Sequence, residues 1–146
     1  MRYTVALTGL MFLSIDASGF ATPPDIGSTV DRLVEDTTKS SEAERHAFAQ
    51  LIDLGSPAVP YIIGHLGDGR PLAEQIIQRD QWHQEHVWYV HDGLLAVLRQ
   101  TVGHGMGATD GHASASQRAA IKRKWENWCV EKYPDQSHVC RGGHDG

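Results

Sequence analysis

The sequence predicts an all-α fold: a short stack of antiparallel helix pairs closed by a C-terminal capping helix. Three observations predict it. Apolar residues recur at three- and four-residue spacing through most of the chain, serines followed three residues later by an acid precede two of those runs, and no credible strand pair appears. A length of 146 residues fits one domain, and 40% hydrophobic against 21% charged residues is the balance of a globular chain. The 13 Lys and Arg against 18 Asp and Glu give a formal charge of -5 without a basic stripe, which disfavours general nucleic-acid binding. Two cysteines exclude a zinc site built from paired CxxC units.

Residues 1–21, MRYTVALTGLMFLSIDASGFA, read as a secretory signal peptide: Arg2, then an apolar stretch from Val5 to Ile15, then small residues around Ala17–Gly19. The stretch is about half the roughly 20 residues of a membrane-spanning helix, and Asp16 interrupts it. The alternative is a buried N-terminal helix. Cleavage after Ala21 places Gly19 and Ala21 at the small-residue positions and leaves residues 22–146 as a single domain, exported to the periplasm or secreted. In an oxidising compartment Cys129 and Cys140 are expected to pair, in a loop for which chain entropy gives about 3 kcal/mol. The alternative is two unpaired structural thiols.

A first helix runs from a cap at Ser28 to about Asp36, with Val30, Leu33 and Val34 on one face. A second opens at Ser41 with Glu44, carries Ala47, Phe48, Leu51 and Ile52, and ends at Gly55. Ser56 and Pro57 cap a third, with Val59, Ile62, Ile63 and Leu66 in register before Gly67, and Pro60 bending its first turn. The stretch 72–80 reads as either helix or irregular lid. From about Gln84 a long central helix is expected on Val87, Val90, Leu94, Val97, Leu98 and Val102, with Gly93 a smooth point for a neighbouring helix. Residues 103–116 form a surface loop, and Ser116 opens a last helix with Ile121, Trp125 and Trp128 in its core stripe, ending at Pro134.

The segment LIDLGSPAVPYIIGHLGDGRP, Leu51 to Pro71, resembles a unit of the HEAT-like helical repeat proteins. The run His91 to Gly107, followed by a helix with WENWCVEK, resembles the closing part of small exported bacterial HEAT-like domains. The resemblance implies an α-solenoid fragment whose faces bind other proteins, with the outer helices as caps and no catalytic residues to carry over.

Nine histidines raise metal binding. His83, His86 and His91 fall in one stretch, but His-Gln-Glu-His is not the H-E-x-x-H of zincins, and His91 lies roughly 80° round a helix from His83. His104, Asp110 and His112 form a second cluster in the glycine-rich loop, while His138 and His144 belong to a polar tail. No G-x-S-x-G elbow or phosphate loop is present, so no hydrolase or nucleotide site is expected, and no cofactor. Trp82, Trp88 and Tyr89, with Tyr61 on the third helix, are the candidate protein-binding residues, because such side chains bury large area and keep a polar handle. The expected function is a noncatalytic exported protein-binding module, in one version an inhibitor or immunity-type protein acting on an envelope enzyme. The alternatives are a metal-binding or metal-dependent protein using His83, His86 and His91, and a purely structural envelope component.

Overall fold

The computed structural model describes residues 25–75, 87–108 and 110–143. The proposed leader, Trp82, His83, His86 and His144 lie outside the described residues. Six α-helices form among the described residues: α1 (Ile26–Asp36), α2 (Ser41–Leu54), α3 (Val59–Gly64), α4 (Val90–Val102), α5 (Ala115–Lys132) and α6 (Ser137–Cys140). No strand appears among them, and no helix is long and apolar enough to cross a membrane.

The caps sit close to the expected serines and are shifted by local chemistry. Asp25, not Ser28, caps α1: its carboxylate accepts from the Ser28 amide at 3.1 Å, adding nearly a turn to the helix. Ser40 rather than Ser41 caps α2, accepting from the Ala43 amide at 3.2 Å. Ser114 rather than Ser116 caps α5, and Gln117 closes a reciprocal box by accepting from the Ser114 amide at 2.7 Å. The expected third helix divides into a 3-10 turn, Ser56–Ala58, and α3, because Pro57 and Pro60 lack the amides a continuous α-helix would use there.

The central helix starts later than its apolar spacing suggests. Residues 87–89 are extended, Tyr89 bridges Pro71 in antiparallel fashion, and α4 begins only at Val90. The amides here bond across the chain: Leu72 N–H donates to Trp88 O at 3.0 Å and Val90 N–H to Arg70 O at 2.9 Å. Valines at 87 and 90 satisfy a helical period, but the backbone partners of the segment decide against it and only Val90 is buried.

α3 lies at the centre, packed against α1, α4, α5 and α6, and its Val59, Ile62 and Ile63 are inaccessible to solvent. Leu33 and Val34 of α1, Leu51 of α2, Leu94 and Leu98 of α4 and Trp125 of α5 complete this core. The tail expected to be a polar terminus instead forms α6, whose Val139 and Cys140 are buried. Cys129 and Cys140 are joined by a disulfide that fixes α6 to α5. Gly64 makes this docking possible: a Cβ there would meet the Val139 carbonyl at 3.1 Å and the Gly142 Cα at 3.2 Å.

Candidate functional site

Two concave surfaces bring expected site residues into geometry. The first is a groove of about 330 Å³ between α2 and α4, lined by Phe48, Ile52, Leu72, Trp88, Asp92, Gly93, Ala96, Val97 and Gln100. The Phe48 ring occupies the space where a side chain at position 93 would begin, so the glycine lets the two helices close and sets the depth of the groove. Ala96 and Gln100 are exposed along it and Val97 is buried beneath. Beside Trp88, Val87 is the one large hydrophobic residue exposed among those described, at 39%. The lining holds no nucleophile paired with a base. It is suited to receiving apolar groups.

A strap, residues 67–75, is laid across α1, α2 and the start of α4 and contributes Leu72 to the groove. Ala73 N–H donates to Thr37 O at 3.0 Å, and the Glu74 amide donates to the Glu44 carboxylate at 2.6 Å. Gln75 is tied to Trp88 twice, its Oε1 accepting from the Trp88 amide at 2.8 Å and its Nε2 donating to Trp88 O at 2.8 Å. Arg70 joins Asp68 and Glu35 in ion pairs of 2.7 Å. Burial raises the Glu44 carboxyl; it also pushes Asp68 up, but the hydrogen bonds from Arg70 outweigh this and hold Asp68 below the usual carboxylate range.

Tyr89, His91 and Asp92 lie where the strap meets α4. The Tyr89 ring carries the Arg118 guanidinium 4.3 Å from its centroid, and Arg118 is held by the Ala113 carbonyl at 2.7 Å. His91 is fully buried; its Nδ1 accepts from the Gly67 amide at 3.0 Å, which assigns the proton of the neutral ring to Nε2. Burial, helped by the charge of Arg118, lowers the His91 pKa to about 4. Asp92 caps α4 by accepting from the Tyr89 amide at 3.0 Å, and burial raises its carboxyl.

The second surface contains Tyr61. Asp31, Tyr61, Gly64, His65, Val139, Gly142 and Gly143 enclose a cleft of about 160 Å³ between α1, α3 and the tail. His65 Nε2 lies 2.7 Å from Asp31 Oδ1, a pair 34 residues apart in sequence that no local motif announces. The expected aromatic candidates therefore divide: Trp88 lines the groove, Tyr61 lines the cleft, and Tyr89 lies beneath Arg118.

Among the described residues, no group of three His, Cys, Asp or Glu side chains is arranged to hold a metal ion. Of the three histidines named for metal, the described one, His91, sits in the interior with Nδ1 already engaged. His104 stacks on Trp125 with ring centroids 5.9 Å apart, and the His112 amide donates to Asp110 at 3.1 Å within the loop. No protein-family model, curated protein or solved structure matches this chain. Phe48, Leu72, Ala96 and Val97 line the groove without having been picked out as site residues; in sequence Gly93 was the one signal, as a point of close helix approach.

Proposed function

We propose that the protein is a noncatalytic, exported protein-binding module whose α2–α4 groove receives an apolar side chain of its partner, an envelope enzyme that it inhibits or neutralises. The observation that carries this reading is the groove itself, mainly apolar in lining, with exposed Ala96 on it. Its volume suits one or two large aliphatic or aromatic side chains, the anchors that dominate small interfaces. A signal-like N-terminal segment and the Cys129–Cys140 disulfide support export. The resemblance of Leu51–Pro71 to a HEAT-like unit, a class whose members work through their faces, agrees with this reading.

The test is affinity purification of the oxidised protein from an envelope fraction, followed by titration of the recovered partner against Ala96→Arg. This substitution places a long side chain in the groove from an exposed helical position, so the fold is retained. Loss of partner affinity by tenfold or more with an unchanged Tm is expected. Equal affinity for both proteins would overturn the assignment of this surface.

A further inference from the structure

The cleft between α1, α3 and the tail is lined by groups that accept hydrogen bonds rather than groups that donate them. Among the described residues its lining holds the Asp31 carboxylate and no lysine or arginine. Asp31 Oδ1 lies 2.7 Å from His65 Nε2, and donation from that nitrogen makes Nδ1 of the neutral ring a further acceptor. A carboxylate accepts several donors at once, and the Asp31 side chain is 41% exposed, so water and solutes reach it.

The tail closes the opposite wall without supplying donors. The Gly142 amide is engaged by Val139 O at 2.8 Å and the Gly143 amide by His138 O at 2.9 Å, so neither serves an anion as the amides of a backbone nest do. The Gly64 carbonyl lies on this seam, 3.4 Å from the place a Gly142 Cβ would take, and it already receives an ammonium, Lys122 Nζ donating to it at 3.1 Å. Lys122 itself lines the neighbouring hollow beside Gly67 and not the cleft. The Tyr61 ring forms a third wall. Its Cε1 lies 2.8 Å from where a Gly27 Cβ would stand, and that same point is 3.0 Å from Asp25 Oδ2, so a second carboxylate borders the ring. An aromatic ring flanked by carboxylates attracts cations and repels anions.

We propose that this cleft binds a primary ammonium or guanidinium group carried on a short apolar stem. The Asp31 carboxylate takes the cation, His65 holds that carboxylate in place, and the Tyr61 ring covers the stem. A volume of about 160 Å³ suits such a head group and lies below the roughly 300–1,000 Å³ of sites for drug-sized ligands. The cleft shares no residue with the α2–α4 groove and stands independently of the function proposed for it. The same cationic chemistry has two sources, a free amine and a basic side chain of a protein.

An NMR titration of the oxidised full-length chain at constant ionic strength, with n-butylammonium against n-butyrate and n-butanol, separates the charge from the stem. Butylammonium is expected to shift the Asp31, Tyr61, His65 and Gly142 amides saturably, with a Kd of about 1–10 mM, and to bind at least about tenfold more tightly than either control. Asp31→Asn, at a half-exposed helical position, is expected to weaken binding at least about tenfold. Asp53→Asn, the same change of charge on α2 outside the cleft, is expected to leave it unchanged. N-acetyl-lysine methylamide identifies the source: tighter binding than butylammonium points to a protein side chain, weaker binding to a free amine, and either supports the site. No saturable shift up to about 50 mM butylammonium, or equal affinity for butyrate or butanol, would overturn the proposal on the wild-type protein alone. Undiminished affinity in a folded Asp31→Asn chain would overturn the part given to the carboxylate.

Discussion

His91 is held neutral inside the protein, so acid acts on it before it acts on most of the core. In the unfolded chain a histidine takes up its proton near 6.5, whereas the buried ring does so only near 4. The stability this contributes is complete above pH 6.5 and is lost as pH falls towards 4, because the unfolded state binds the proton first. The full difference is about 3 kcal/mol. Glu44 and Asp92 act in the opposite sense: burial raises both, so their folded-state cost is relieved as they protonate and returns as pH rises through their folded pKa values. Thermal melts between pH 7 and 4 are expected to show a falling Tm in the wild type. His91→Asn, whose Oδ1 stands where Nδ1 accepts from the Gly67 amide and which does not titrate in this range, should show a shallower fall. Parallel curves would remove His91 as the cause.

Two predictions belong to the elements. A methyl at position 93 collides with the Phe48 ring, so Gly93→Ala is expected to destabilise despite the roughly 1 kcal/mol that alanine gains in a helix. The net loss should be about 1–2 kcal/mol in urea unfolding, and Phe48→Leu in the same chain should recover part of it. A variant as stable as the wild type would show that the helices spread at little cost. α6 poses the complementary case. Four residues cannot sustain a helix alone, and the bridge to Cys129 holds it in place. Replacing both cysteines with serine is expected to cost about 3 kcal/mol and to raise exchange of the Val139 and Cys140→Ser amides selectively. Uniform exchange along the chain would place α6 in the cooperative core instead.

At the scale of the molecule, charge is unevenly shared. Within residues 25–75, nine acids face only Arg32, Lys39, Arg45 and Arg70, while α5 carries Arg118, Lys122, Arg123, Lys124 and Lys132 against Glu126 and Glu131. Opposed fields of this kind orient an approaching protein before contact. On the proposed binding function, association with a partner is expected to slow several-fold between 50 and 300 mM salt with little change in dissociation, measured by stopped flow. A rate insensitive to salt would place the docking contact away from both charged faces. The same scale shows what could be read in advance. The all-α character, the disulfide, the core stripes and the close approach at Gly93 were legible, because each depends on local period or on chemistry within a few residues. The strap, the His65–Asp31 pair and the docking of α6 were not, since each depends on contacts between segments distant in sequence or on which of two backbone partners prevails. Val87 and Val90 show the limit well: their spacing fits a helix, yet Val87 lies outside α4 on an extended segment.

The bridge between Cys129 and Cys140 has a bearing on when the protein becomes itself. Until those sulfurs join, the last helix has no covalent hold on α5, and the backbone face of Gly64 that it covers stays open to water. A chain kept reduced thus remains short of its final form, and oxidation supplies the finishing step. The docking of the tail therefore answers to the redox state of its surroundings.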